Sequence, residues 1–187
     1  MQYDASRIGS LDSALSMSTL AQELGEITHC SVLLRTARGH GLQSPTDFIR
    51  LAVARGCRHY APAVEPIESD PGIKSISDEE LVALLLLGSN EFDPIAIRCA
   101  AQLAGDCDPH QLANVARRER VARPLAYIAK VAKTHDAANT DFWTKLLVLL
   151  GEQHPVVEGI LPHWSRFVSQ TGVTRSGGGS VQWLHRQ

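Results

Sequence analysis

Aromatic residues are scarce: three tryptophans, three tyrosines and four phenylalanines are spread over 187 residues. β-Branched and aromatic runs are few as well, which removes the usual raw material of strands. Long apolar runs are missing too. The longest, LVALLLL at residues 81 to 87, is a third of the roughly 20 residues a membrane span needs. The N-terminus, MQYDASRIGSLDS, lacks a basic start followed by an apolar stretch, so no secretion signal is expected. Four cysteines, Cys30, Cys57, Cys99 and Cys107, are too few and too dispersed for a disulfide framework. The simpler expectation is a reducing cytoplasm. Net charge is only −2, so the chain as a whole is neither a polyanion nor a polycation. Its length suits one sizeable core and is short for two independent domains.

What is present is Ala, Leu and helix punctuation. Ala and Leu lose little on entering a helix, so an all-α fold is predicted. In QSPTDFIRLAVARG, Ser44 can cap, Pro45 suits the first helical position, Asp47 completes a capping box and Gly56 closes. Residues 61 to 74 are rich in Pro and acid and read as a loop with at most one turn of helix. Ser77 and Glu80 stand at capping-box spacing before Leu81 to Leu87, a run apolar on every side that predicts a central helix ending at Gly88. The stretch NEFDPIAIRCAAQLAG then sets Ile97, Ala100, Ala101 and Ala104 on one helical face between Pro94 and Gly105.

This punctuation recurs. Pro94, Pro124 and Pro155 are 30 and 31 residues apart, and helix starts near Ser77, Pro109 and Thr140 are 32 and 31 apart. Two markers with one period predict stacked helical hairpins, with Pro confined to first turns where its missing N–H costs nothing. The expected organisation is an N-terminal helical segment over 1–43, a hairpin-repeat domain over 44–170 and a flexible Gly/Ser tail over 171–187. A compact irregular helical bundle is the alternative architecture.

The residues Asp93, Pro94, Ile97, Arg98, Ala101 and Leu103 resemble a HEAT-like repeat, in the short form found in phycobilisome-lyase-type HEAT proteins. The resemblance spans residues 77 to 134 and, loosely, 140 to 170, where the third unit lacks the Asp and Arg and carries Pro162. It implies an α-solenoid whose hairpins leave one surface for recognition.

Chemistry is sparse. His29, Cys30, His40, Cys57 and His59 share a window but show no familiar chelating spacing, so no metal or cofactor is expected. Cys99 and Cys107 read as small core residues, and Phe142, Trp143, Trp164 and Phe167 as core aromatics. Glu119 points inward on its helix and predicts a structural brace with Arg98 or Arg123. No nucleophile–base pair or other catalytic constellation is legible, which argues against an enzyme. The main charged feature is Arg117, Arg118, Arg120, Arg123, Lys130 and Lys133, set against the lone Glu119. Trp183 with Leu184 forms an apolar hook in the tail. These residues are the candidate partner-binding set. The expected function is a protein-interaction or scaffold module, with nucleic-acid binding through the basic face of residues 112–133 as the alternative.

Overall fold

The computed structural model describes residues 31–59, 64–67, 71–87, 93–155, 161–171 and 180–186. The chain divides into two units, Met1–Val32 and Leu33–Gln187, and only Ser31 and Val32 of the first are described. The helix expected from residue 12, His29, Cys30, the Gly88 stop and residues 172–179 of the tail lie outside the described residues.

Helix α1 (Val32–Gly39) ends where Gly39 and Gly41 predict it should. Helix α2 (Pro45–Ala54) opens on the expected capping box: Ser44 accepts from the Asp47 N–H, and the Asp47 carboxylate accepts from the Ser44 N–H at 2.9 Å. The acidic linker holds one turn, α3 (Pro71–Lys74). Helix α4 (Asp78–Leu86) starts with the Ser77–Glu80 capping box, and Leu81 to Leu86 are all buried. In α5 (Pro94–Ala104) and α6 (Pro109–Arg118), Asp93 and Asp108 each accept two N–H groups of the first turn. Helix α7 (Ala122–His135) and, after a 3₁₀ turn, α8 (Thr140–Leu150) come next. The chain then makes a second 3₁₀ turn (Trp164–Arg166) and an antiparallel hairpin, β1 (Val168–Thr171) and β2 (Ser180–Trp183), with Val168 opposite Trp183.

The fold is mostly helical. Helix α2 packs on α4, α4 on α6 and α6 on α8, while α5 lies against α2 and α4, and α7 against α8. Small residues allow these approaches. Ala100, Ala101 and Ala104 are buried, and a Cβ on Gly105 would meet Trp143 Cζ2 at 3.4 Å and Asn139 Nδ2 at 3.7 Å. Among the described residues no helix is long and apolar enough to cross a membrane.

The third hairpin is the first correction. Pro94 opens α5 and Pro124 lies in the first turn of α7, but Pro155 ends a non-helical stretch over 151–155. Val168 is in a strand and Trp164 in a 3₁₀ turn, so the third pair has no second helix among the described residues that match it. The physical reason is local: Pro162 cannot continue a helix begun near Pro155, and it biases Leu161 toward extended backbone. The segment still runs along α7, since Arg123 donates to the Pro155 carbonyl, Tyr127 Oη to the Pro162 carbonyl at 2.7 Å, and His135 stacks on Trp164 at 4.5 Å.

The second correction concerns the tail. Residues 180 to 183 form β2, and Trp183 is buried between Phe167, stacked at 5.7 Å, and Trp143, edge-on at 5.9 Å. The brace at Glu119 draws on an arginine not expected there. Glu119 is buried and accepts from Arg118 Nε at 2.9 Å, while Arg98 Nε donates to the Pro94 carbonyl and Arg123 to that of Pro155. Glu119 is the C-cap of α6, so the helix has ended before Arg123 and the i, i+4 rule no longer applies.

Candidate functional site

The basic residues converge on the turn from α6 to α7. Arg117 and Arg118 occupy the last turn of α6, where cations complement the partial negative charge of the unpaired carbonyls. Glu119 comes next, buried, with Arg118 bridging it to Glu80, whose Oε1 lies 3.7 Å from Arg118 Nη2. Arg120 has φ 61, in the left-handed region. The Arg120 N–H donates to the Arg117 carbonyl at 3.2 Å and the Val121 N–H to the Ala116 carbonyl at 2.8 Å. That is a Schellman ending with Arg in the seat usually taken by Gly. The chain then enters α7, whose Arg123, Lys130 and Lys133 are exposed.

These cations fall into two kinds. Arg118 is committed to Glu119 and Glu80. Arg117 and Arg123 donate to the carbonyls of Ala113 and Pro155, which leaves their positive charge unneutralised. Among the described residues no carboxylate lies within ion-pair distance of Arg117, Arg120, Arg123, Lys130 or Lys133. Arg123 and Lys130 are seven residues apart on one helix, which places them two turns apart on one solvent-facing stripe. Trp183 does not join this surface. The structure places it in the core, where it cannot serve as the exposed anchor expected of it.

A second cluster, not found from the sequence, gathers under the C-terminal segment. The Leu184 N–H donates to the Phe167 carbonyl, and Gln102 Nε2 to the His185 carbonyl at 3.0 Å. Buried Asp136 accepts from Trp143 Nε1 at 2.8 Å, and its other oxygen lies 3.3 Å from His185 Nε2. Arg186 spans Asp78 at 2.6 Å and Asp106 at 2.7 Å. Asp78 also takes Arg55 at 2.6 Å. Burial opposes ionisation of Asp78, yet hydrogen bonds from Arg186 and Arg55 outweigh it and hold the carboxyl below its ordinary value. Burial likewise acts against the Arg186 charge, and Asp78 and Asp106 reverse the balance. The pair of Asp136 and His185 has the geometry of a base and its orienting acid. Among the described residues no hydroxyl or thiol is hydrogen-bonded to His185, so the cluster has no nucleophile to activate. Its evident work is to fasten the C-terminal segment across α4, α5 and α7.

The thiols are inert by environment. A hydrogen bond with Cys99 and burial both push the Cys57 thiol up, and burial does the same to Cys107, so neither forms the nucleophilic thiolate readily. Among the described residues no three His, Cys, Asp or Glu side chains group as a metal ion would require. Nothing in the composition of the site therefore points to bond-making chemistry. What it offers is an exposed, positively charged surface on a braced turn. The chain matches no family model, and no curated protein or solved structure is significantly similar to it.

Proposed function

We propose that this chain is a cytoplasmic protein-interaction module of HEAT-like type that docks an acidic segment of another protein. The docking surface is the α6–α7 turn and the stripe that continues along α7. One observation carries the reading: Arg117, Arg120, Arg123, Lys130 and Lys133 are exposed, adjacent along the chain, and left without carboxylate partners among the described residues. The succession α2, α4, α6 and α8, each packed on the next, supports a hairpin-repeat scaffold beneath that surface. The overall charge of −2 favours an acidic protein segment over a nucleic acid, which is usually met by a strongly basic domain. Nucleic acid is the second reading, because guanidinium forks also clamp phosphates.

The test is fluorescence anisotropy of a labelled oligoglutamate peptide and of a random-sequence DNA duplex, each titrated with the full chain at rising salt. The peptide is expected to bind at low salt and weaken as salt rises. The double variant Arg117→Glu with Arg120→Glu is expected to abolish that binding. Tighter binding of the duplex than of the peptide would shift the assignment to nucleic acid. Binding of neither would remove the proposed surface altogether.

A further inference from the structure

Building on that surface, we infer that Arg120 is its anchor, the side chain whose guanidinium clamps a partner carboxylate. Its backbone sits at φ 61. An L residue there brings its Cβ against the following carbonyl, and helices commonly end with Gly or Asn at this position for that reason. The turn itself does not need an arginine. Its two closing hydrogen bonds are made by main-chain atoms of Ala116, Arg117, Arg120 and Val121. Nor does the fold use the charge, since Arg120 pairs with no carboxylate among the described residues, whereas its neighbour Arg118 satisfies Glu119.

The flanks explain how Arg120 is presented. Glu119 and Val121 on either side are 2% and 4% exposed, so the chain dips into the core, surfaces for one residue and dips again. Arg120 therefore projects from a fixed base. Little ordering of backbone remains to oppose binding, which is the condition under which a single arginine contributes most. A strained backbone kept at an exposed cation without an internal partner is a cost to the fold with no return inside it. The return lies in what the guanidinium meets outside. Its planar fork fits a carboxylate with two parallel hydrogen bonds, so the complementary group is a Glu or Asp side chain of the docked segment.

Separating anchor from surface needs two sets of variants, assayed with the labelled oligoglutamate peptide and by thermal unfolding of the full chain. Arg120→Gly and Arg120→Asn relieve the backbone and remove the fork. Both are expected to raise the unfolding midpoint by about 2–4 °C while weakening peptide binding about tenfold or more. Arg120→Lys, which keeps charge but not the fork, is expected to fall between these and the parent. If Arg120→Gly is more stable yet binds within about twofold of the parent, Arg120 is no anchor. A lower midpoint in Arg120→Gly would overturn the strain argument. The pair Arg117→Glu with Arg123→Glu reports on the surface: its failure to weaken binding removes the docking site itself, independently of Arg120.

Discussion

Replacing Trp183 by Ala tests whether the C-terminal segment belongs to the core. The side chain is 2% exposed, with Phe167 stacked on one side and Trp143 edge-on at the other. A buried Trp removes about 150–250 Å² from water, which at about 25 cal/mol/Å² sets an upper bound near 4–6 kcal/mol. Against this stands Trp183 Nε1, buried without a hydrogen-bond partner among the described residues. An orphan donor of that kind costs about 1–3 kcal/mol, so the net loss on truncation is about 3 kcal/mol. For a chain of this size that lowers the thermal midpoint by about 6–12 °C. Urea and thermal unfolding of Trp183→Ala would measure it directly. Trp183→Phe sharpens the test, because it keeps a ring between Phe167 and Trp143 and deletes the orphan donor. It is expected to cost under about 1.5 kcal/mol. A Trp183→Ala variant within about 0.5 kcal/mol of the parent, the range of ordinary surface changes, would refute the packed-strand account. So would a Phe variant as damaged as the Ala variant.

The same network of contacts sets three further expectations. Asp47 and Asp78 both ionise below their ordinary value of 3.8, opposed by burial but favoured by hydrogen bonds from Ser44 and from Arg186 and Arg55 respectively. A depressed folded value contributes stability above the unfolded value and loses it as pH falls through the folded one. Urea midpoints should therefore drop below about pH 4, and Asp78→Asn should make that drop shallower. Ser77→Ala removes the acceptor for the Glu80 N–H at the head of the central helix and is expected to cost about 1 kcal/mol in urea unfolding. Arg118→Met leaves the buried Glu119 carboxylate without its 2.9 Å donor and should cost about 1–3 kcal/mol. Glu119→Gln, which removes the charge and keeps the shape, should cost less than Arg118→Met in the same assay.

The helix starts were legible because their cause is local. Ser44 with Asp47, Ser77 with Glu80, and the two Asp-Pro pairs satisfy N–H groups two or three residues away, so spacing alone reveals them. Pro155 shows where such reasoning stops. Proline opens a helix or prevents one according to the residues on its C-terminal side, and Pro162 decides the matter seven residues later. The β-hairpin was hidden for a different reason. Val168 to Thr171 becomes a strand only by pairing with Ser180 to Trp183 across the Gly-rich run, and neither segment is apolar or β-branched enough to announce itself. Trp183 in a short apolar hook looks the same whether it faces solvent or a Phe167–Trp143 slot built by distant elements. The cluster of Gln102, Asp136 and His185 joins α5, the end of α7 and the C-terminal segment, and no spacing in the chain encodes that meeting.

The division among the arginines ties fold to surface. Arg55 and Arg186 converge on Asp78, and Arg118 serves Glu119 and Glu80. Each of these cations meets its carboxylate inside the chain, where mutual attraction offsets the desolvation of both groups. A partner would have to break that pairing before using them, and breaking a partly buried pair costs more than a rim contact returns. Arg117, Arg120, Arg123, Lys130 and Lys133 carry no such prior commitment to a carboxylate among the described residues. Their mutual repulsion is mild in water but unrelieved within the fold, and an anion that settles among them gains from several charges at once. The same reasoning separates two kinds of damage. Charge reversal at Arg186 should loosen the fold and leave the field at the α6–α7 turn intact, whereas reversal at Arg117 or Arg123 should change that field and leave unfolding nearly unmoved.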